Sequence, residues 1–164
     1  MSVVTKYASG AYDPSASPPT NPKPAAETQG HLRQLVSTVE LANGDSATSQ
    51  VFFGRVPSNA RISILSRIDS DAVTSLTDFD LGVGQTAAGA FTMKDADCLI
   101  NGADLHSAGN VGLSAIDIAD QTKALWQLAG YTDDPGGDLD IVGTLNAATT
   151  AAGTLTLSLV TAAP

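Results

Sequence analysis

The chain holds one cysteine, Cys98, and two histidines, His31 and His106. A lone cysteine excludes an intramolecular disulfide and a cysteine-built zinc site. Small secreted domains commonly rely on disulfides, so folding in a reducing compartment is expected. Glutamate occurs only at Glu27 and Glu40, aromatic residues make up 5% of the chain and charged residues 15%. Nucleophilic catalysis needs a Ser, Cys or Thr beside a base that is itself oriented, and so few bases make that arrangement hard to assemble. No Gly-x-Ser-x-Gly elbow, phosphate loop or His-Glu-x-x-His pair occurs, and Gly82-Val83-Gly84 is too short for a dinucleotide fingerprint. No apolar run has the length of a membrane-spanning helix. The opening residues, Met1-Ser2-Val3-Val4-Thr5-Lys6, lack the apolar stretch of a signal peptide, and no cysteine near Pro164 offers a lipidation site. No membrane partner is expected.

The remaining chemical candidates read as structural. Cys98 has Asp97 and Leu99 as neighbours and no adjacent base, which fits an inert buried thiol. Asp133, Asp134, Asp138 and Asp140 surround Pro135-Gly136-Gly137. Calcium favours such oxygen-rich loops, but the spacing is not that of an EF-hand, and Asp with Gly is what a tight turn requires. Paired carboxylates of the glycosidase kind are not suggested by aspartates that fall in turns and on polar strand faces. The sequence therefore predicts no catalytic residues, no cofactor and no metal: not an enzyme.

Charge is unevenly placed. Residues 1–67 carry six Lys or Arg against four Asp or Glu, a net of +2, whereas residues 68–164 carry two against thirteen, a net of −11. The acidic part has no phosphate-binding stripe, which argues against nucleic acid as a partner. Arg55, Arg61 and Arg67 form the one local basic group, and a solvated sheet face accounts for it.

The chain divides near Gly30. Residues 1–30 hold five of the eight prolines and little core material. Asp13-Pro14, Ser17-Pro18-Pro19 and Asn21-Pro22-Lys23-Pro24 fix φ and push the preceding residues toward extended backbone. Such an arm spans about 100 Å at roughly 3.3 Å per residue. Tyr7 and Tyr12 are two of only three tyrosines and suit anchoring the arm against a neighbour, with Pro18, Pro19, Pro22 and Pro24 holding it extended; the alternative is a disordered tail.

Residues 31–164 read as an all-β domain. Leu35, Val39 and Leu41 share a face within 32–41, and Asn43-Gly44-Asp45 makes a turn. Val51, Phe52 and Phe53 lie in 50–56. Ile62, Ile64 and Ile68 alternate with Arg61, Ser63 and Arg67 over 61–68. Phe79, Leu81 and Val83 oppose Asp78 and Asp80. Leu139, Ile141 and Leu145 form another face, as do Leu155, Leu157 and Leu159 against Thr154, Thr156 and Ser158. This period of two marks half-buried antiparallel strands. Of the less regular stretches, 95–101 admits a short helix capped by Asp95, 111–118 reads as a strand, and 123–131, with the only tryptophan, Trp126, reads as a strand rather than a helix turn. Eight or nine strands are what an antiparallel β-sandwich, jelly-roll-like in connection, requires. Phe79, Leu81, Ile62, Ile64, Ile141, Leu155 and Leu157 are its expected core.

Several stretches also carry a resemblance. Thr77-Asp78-Phe79-Asp80-Leu81-Gly82 is followed by Ala96-Asp97-Cys98-Leu99, then by Ala124-Leu125-Trp126-Gln127-Leu128-Ala129-Gly130-Tyr131, Asp133-Asp134-Pro135-Gly136-Gly137, Asp140-Ile141-Val142-Gly143-Thr144-Leu145 and Ala151-Ala152-Gly153-Thr154-Leu155-Thr156-Leu157. In this order the chain resembles auxiliary head proteins of tailed bacteriophages, of the decoration or cement type. The resemblance implies a virion structural protein on the capsid exterior, made in the host cytoplasm. It also implies the major capsid protein as partner, a homo-oligomer, a trimer by that analogy, and an arm that clasps neighbouring subunits. Another particle component (tail, head-completion or fibre-attachment) or a carbohydrate- or calcium-binding sandwich module are the alternatives.

Overall fold

The computed structural model describes residues 32–162. The strands are β1 (Leu32–Leu41), β2 (Gln50–Pro57), β3 (Arg61–Ile62), β4 (Arg67–Asp71), β5 (Phe79–Ala87), β6 (Ala90–Ala103), β7 (Ala108–Gly112), β8 (Asp138–Leu145) and β9 (Gly153–Ala162), with one helical turn, α1 (Leu125–Leu128). One sheet has the order β1-β9-β4-β7, and β3 also pairs with β9; the other has the order β2-β8-β5-β6. Every pairing is antiparallel. Each link from one strand to the next crosses between the sheets, except at the β3–β4 break and the β5–β6 hairpin. That is the jelly-roll arrangement, so the expected all-β sandwich is the fold observed.

The period-two pattern explains the layers. Leu139, Ile141, Leu145, Leu155, Leu157 and Leu159 point between the sheets and are fully buried, with Ile68, Phe79 and Leu81 opposite them. At Gly143 an added Cβ would meet the Phe79 ring at 2.5 Å, so glycine there makes room for the largest core side chain. The β5–β6 hairpin turns on Ala88 and Gly89, both at positive φ (51° and 82°), as the turn matching strand twist requires.

Strand direction gives the sandwich two unlike poles. Loops 42–49, 72–78, 104–107 and 146–152 share one, the loop pole. β1 starts and β9 ends at the other, the open pole, where Leu32 pairs with Ala162. The long connection 113–137 crosses beneath that pole.

Four expectations change. Strand 61–68 is broken: β3 and β4 lie along the same side of β9, and 63–66 leaves the sheet between them. Ile64 is therefore 63% exposed instead of buried, while Ile62 and Ile68 keep their inward positions. Residues 95–101 belong to β6, not to a helix. Between Val83↔Asp95 and Leu81↔Ile100 the β6 side holds three more residues than the β5 side, a bulge that lays the Asp95–Ala96 backbone over Gly82. Residues 125–128 form α1, because the Gln127 side-chain oxygen accepts from the Ala124 amide (2.9 Å) and satisfies a free N–H at the start of the turn. The strand expected over 111–118 ends at Gly112.

Candidate functional site

At the loop pole, loops fasten loops. The Thr149 hydroxyl donates to the Ala42 carbonyl (2.6 Å) and accepts from the Asp45 amide (3.1 Å). The Gly44 amide donates to the Thr149 carbonyl and the Thr149 amide to the Asp45 carbonyl, both at 3.0 Å. Val73 and Leu105 link the second pair of loops through Val73 N–H to Leu105 C=O (3.0 Å) and Leu105 N–H to Leu76 C=O (2.9 Å). Ser70 adds its hydroxyl to the Leu105 carbonyl at 3.1 Å. Thr149 and Ser70 are buried, so these bonds are shielded from competing water.

The open pole presents apolar side chains. Ser66 takes over the ladder where β3 stops: its hydroxyl accepts from the Val160 amide (2.9 Å) and donates to the Val160 carbonyl (3.2 Å). Ser66 N–H donates to Ser63 C=O at 3.0 Å. The two serines thus close a small turn that pushes Ile64 and Leu65 into solvent, at 63% and 70% exposure. Leu32 (69%) stands beside them, and Ile118 (89%) projects from the long connection. A groove runs between Leu32 and Ile64 over Ile62 and Ala162, with Gln121 on its rim. Beneath it Leu125, fully buried, closes the core, held by Leu125 N–H to Ala60 C=O (2.8 Å) and Trp126 N–H to Ser58 C=O (3.0 Å).

The two outer faces differ from both poles. On the β1–β9 sheet, side-chain hydrogen bonds tie Gln34 to Ser158 (2.7 Å), Thr38 to Thr156 (3.0 Å) and Thr154 to Glu40 (2.7 Å). On the β2–β8 sheet, buried Asp140 accepts from Arg55 (2.7 Å) and from Thr86 (2.7 Å). Phe52 packs edge-on against Phe91, centroids 4.8 Å apart. Asp95, Asp97 and Asp80 gather at the β6 bulge. The Asp95 carboxyl, by sharing a hydrogen bond and by repulsion, and burial together raise the Asp97 carboxyl above its usual range.

The arm residues Tyr7, Tyr12, Pro18, Pro19, Pro22 and Pro24, and His31, lie outside the described residues. Arg55, Arg61 and Arg67 do not converge: Arg55 lies in β2 on Asp140, Arg67 in β4 on Asp69 (3.1 Å), and Arg61 in β3. Asp140 is occupied by Arg55, and Asp134 accepts from the Gly136 amide (2.8 Å) as a turn aspartate does. His106 is exposed beside Ser107 and Asp104, yet both approach the same ring nitrogen, Nδ1, at 3.1 and 3.6 Å. A base relay needs opposite nitrogens of the ring. Burial pushes the Cys98 thiol up to about 12, which keeps it protonated and unreactive. Among the described residues no three His, Cys, Asp or Glu side chains stand as a metal-holding group. Sequence reasoning missed the exposed Leu32, Leu65 and Ile118. One signal was present: Ile64-Leu65 is an apolar doublet between serines, which breaks the alternation it sits in.

No protein-family model and no curated protein matches the chain. Solved structures do. A chain in the capsid of Ralstonia phage GP4 superposes with a TM-score of 0.62 at 15% identity, over 82% of this chain and 85% of that one. A chain in the capsid asymmetric unit of cyanophage Pam1 superposes with a TM-score of 0.51 at 17% identity, over 82% and 86%. At such identities the likeness is one of fold.

Proposed function

We propose that this chain is a bacteriophage virion structural protein that binds the outer capsid surface and reinforces the head. The observation that carries the reading is the likeness of its jelly roll, over 82% of the chain, to chains within two phage capsids. The body supplies a non-catalytic block whose loops are fastened to one another at the loop pole. Residues 1–30 serve as an arm that clasps neighbouring subunits. Prolines that pre-extend the arm lower the entropy lost on docking, and Tyr7 and Tyr12 add rigid amphipathic anchors. The exposed Leu32, Ile64 and Leu65 at the pole where the arm joins the body support the same direction of attachment, since clustered exposed apolar residues mark contact surfaces. The major capsid protein is the partner, and the protein acts as a homo-oligomer.

Particle occupancy, counted by electron microscopy on heads lacking the protein, tests this. Full-length protein is expected to decorate the head surface. Deleting residues 1–30 is expected to leave the body folded and to lower occupancy strongly, and Tyr7→Ala with Tyr12→Ala to lower it less. Equal occupancy with and without the arm overturns the clasp. Density at the tail or portal in place of the head surface moves the protein to another part of the particle.

A further inference from the structure

The four sheet edges are not alike. Unpaired strand edges invite pairing with other chains, and proteins blunt them with bulges, proline, charge or shortness. The β2 edge carries a bulge between Phe52 and Gly54 and ends in Pro57. The β6 edge has three register shifts against β5. The β7 edge is five residues long and contains Gly109 and Gly112. β1 has none of these devices. Its ten residues run in unbroken register with β9, without proline or glycine, and its only charges are Arg33 and Glu40 near the two ends. Leu35 and Val39 on its inner side are only partly buried although they pack against the core. A groove alongside, lined by Val39, Leu41, Val51 and Phe52 with Glu40 and Asp45, opens between the β1 and β2 edges.

A matching strand exists in the same chain. Residues 1–12 contain no proline and no acidic residue, whereas all five prolines of the arm fall in 14–24. Val3-Val4-Thr5-Lys6-Tyr7 is β-branched and aromatic, the composition that strands favour, and Lys6 complements Glu40 and Asp45 beside the groove. Pro22 and Pro24 oppose pairing of the adjoining stretch back along its own β1, because each lacks an amide donor. The 23 residues from 9 to 31 reach about 75 Å at roughly 3.3 Å each, well beyond one sandwich. We propose that residues 2–8 of one copy add to the free edge of β1 in a neighbouring copy as a further strand. Val3, Thr5 and Tyr7 then cover Leu35 and Val39, and Val4 and Lys6 lie on the outer face beside Val36 and Glu40. Backbone bonds supply the affinity and the alternate side chains the register, as in other strand additions.

The inference rests on reading residues 1–30 as a binding arm, but its test needs no particle. Full-length protein with Val4→Cys is mixed with full-length protein bearing a single substitution at Gln34, Val36, Thr38 or Glu40 to Cys, and oxidised. Cys98, only partly buried, is replaced by Ala in every chain so that only the introduced thiols react. A disulfide-linked two-chain product is expected, peaking at one of the four positions, with a yield at least about tenfold above that of an Asn110→Cys control on β7, because register fixes which residues face each other. No two-chain product, equal yield at Asn110, or linkage between two β1 variants without the Val4→Cys chain overturns the proposal. So does a linkage confined to one chain in the doubly substituted protein. Loss of particle occupancy with this cross-link intact would instead count against the capsid reading.

Discussion

The loop pole and the open pole are built from the same strands and solve opposite problems. At the loop pole, four connections use Thr149, Ser70 and the backbone to fasten one another. At the open pole, Ser66 performs a similar repair on the ladder but does so by ejecting Ile64 and Leu65. One pole is finished within the chain. The other, among the described residues, leaves its apolar side chains uncovered. The difference teaches that hydrogen-bond repair and surface display are separable: the same serine chemistry can seal a pole or present one.

Substitutions can break this contrast, the largest first. Leu125→Ala removes the plug beneath the open pole and is expected to cost about 2–5 kcal/mol in denaturant unfolding, the range for a leucine deleted from a packed site. A cost near zero would mean that the connection 113–137 is not part of the core. Thr149→Val strips the buried hydroxyl at the loop pole and leaves the Ala42 carbonyl short of a donor. About 1–3 kcal/mol is expected, and hydrogen exchange at Gly44 and Asp45 should quicken with it. Asp97→Asn acts on neither pole and sharpens the comparison as a face control. Folding raises the Asp97 carboxyl, so the native state carries a repulsion at neutral pH that protonation relieves. The variant should be more stable at pH 7 by less than about 1 kcal/mol, screening at the surface keeping it small. The gain should vanish as pH falls through the raised value, because the native carboxyl then takes up its proton. A gain that grows in acid would contradict this sign. Ile64→Ser with Leu65→Ser should change stability by less than about 0.5 kcal/mol, as exposed substitutions do, so any loss of particle attachment by this variant reports contact and not folding.

Much of the fold was legible because alternation survives wherever both neighbours of a strand are regular. Leu155, Leu157 and Leu159 sit on the central strand β9 and fall where period two places them. The failures occur where a local side-chain bond outweighs the pattern. Ile64 keeps the right spacing, but Ser63 N–H still bonds Val160 C=O (2.8 Å) and the Ser66 hydroxyl takes the Val160 amide (2.9 Å), so the ladder is satisfied while Ile64 and Leu65 loop out. Trp126 lies in a stretch rich in apolar residues, yet Gln127 capping Ala124 sets a helical turn. The β6 bulge was invisible as spacing, because its cause sits elsewhere: Gly82, on the neighbouring strand, leaves the room that the Asp95–Ala96 backbone fills. Of the candidate interface, the arm expected from the prolines of residues 1–30 lies outside the described residues. The apolar pole was not legible, since its members come from residues 32, 64, 65 and 118, joined only by folding.

The strand order also sets a schedule for synthesis. β8 and β9, the last two strands of the sandwich, are interior strands: β8 between β2 and β5, β9 between β1 and β4. Neither sheet can be completed while they remain in the ribosome, and pairs such as Leu32 with Ala162 close only at the end. Such non-local pairing is slow to form. The nascent chain therefore emerges without either sheet finished, and a chain stalled before residue 153 should be open to protease along its length. The sandwich is complete only once the chain has been made in full through β9.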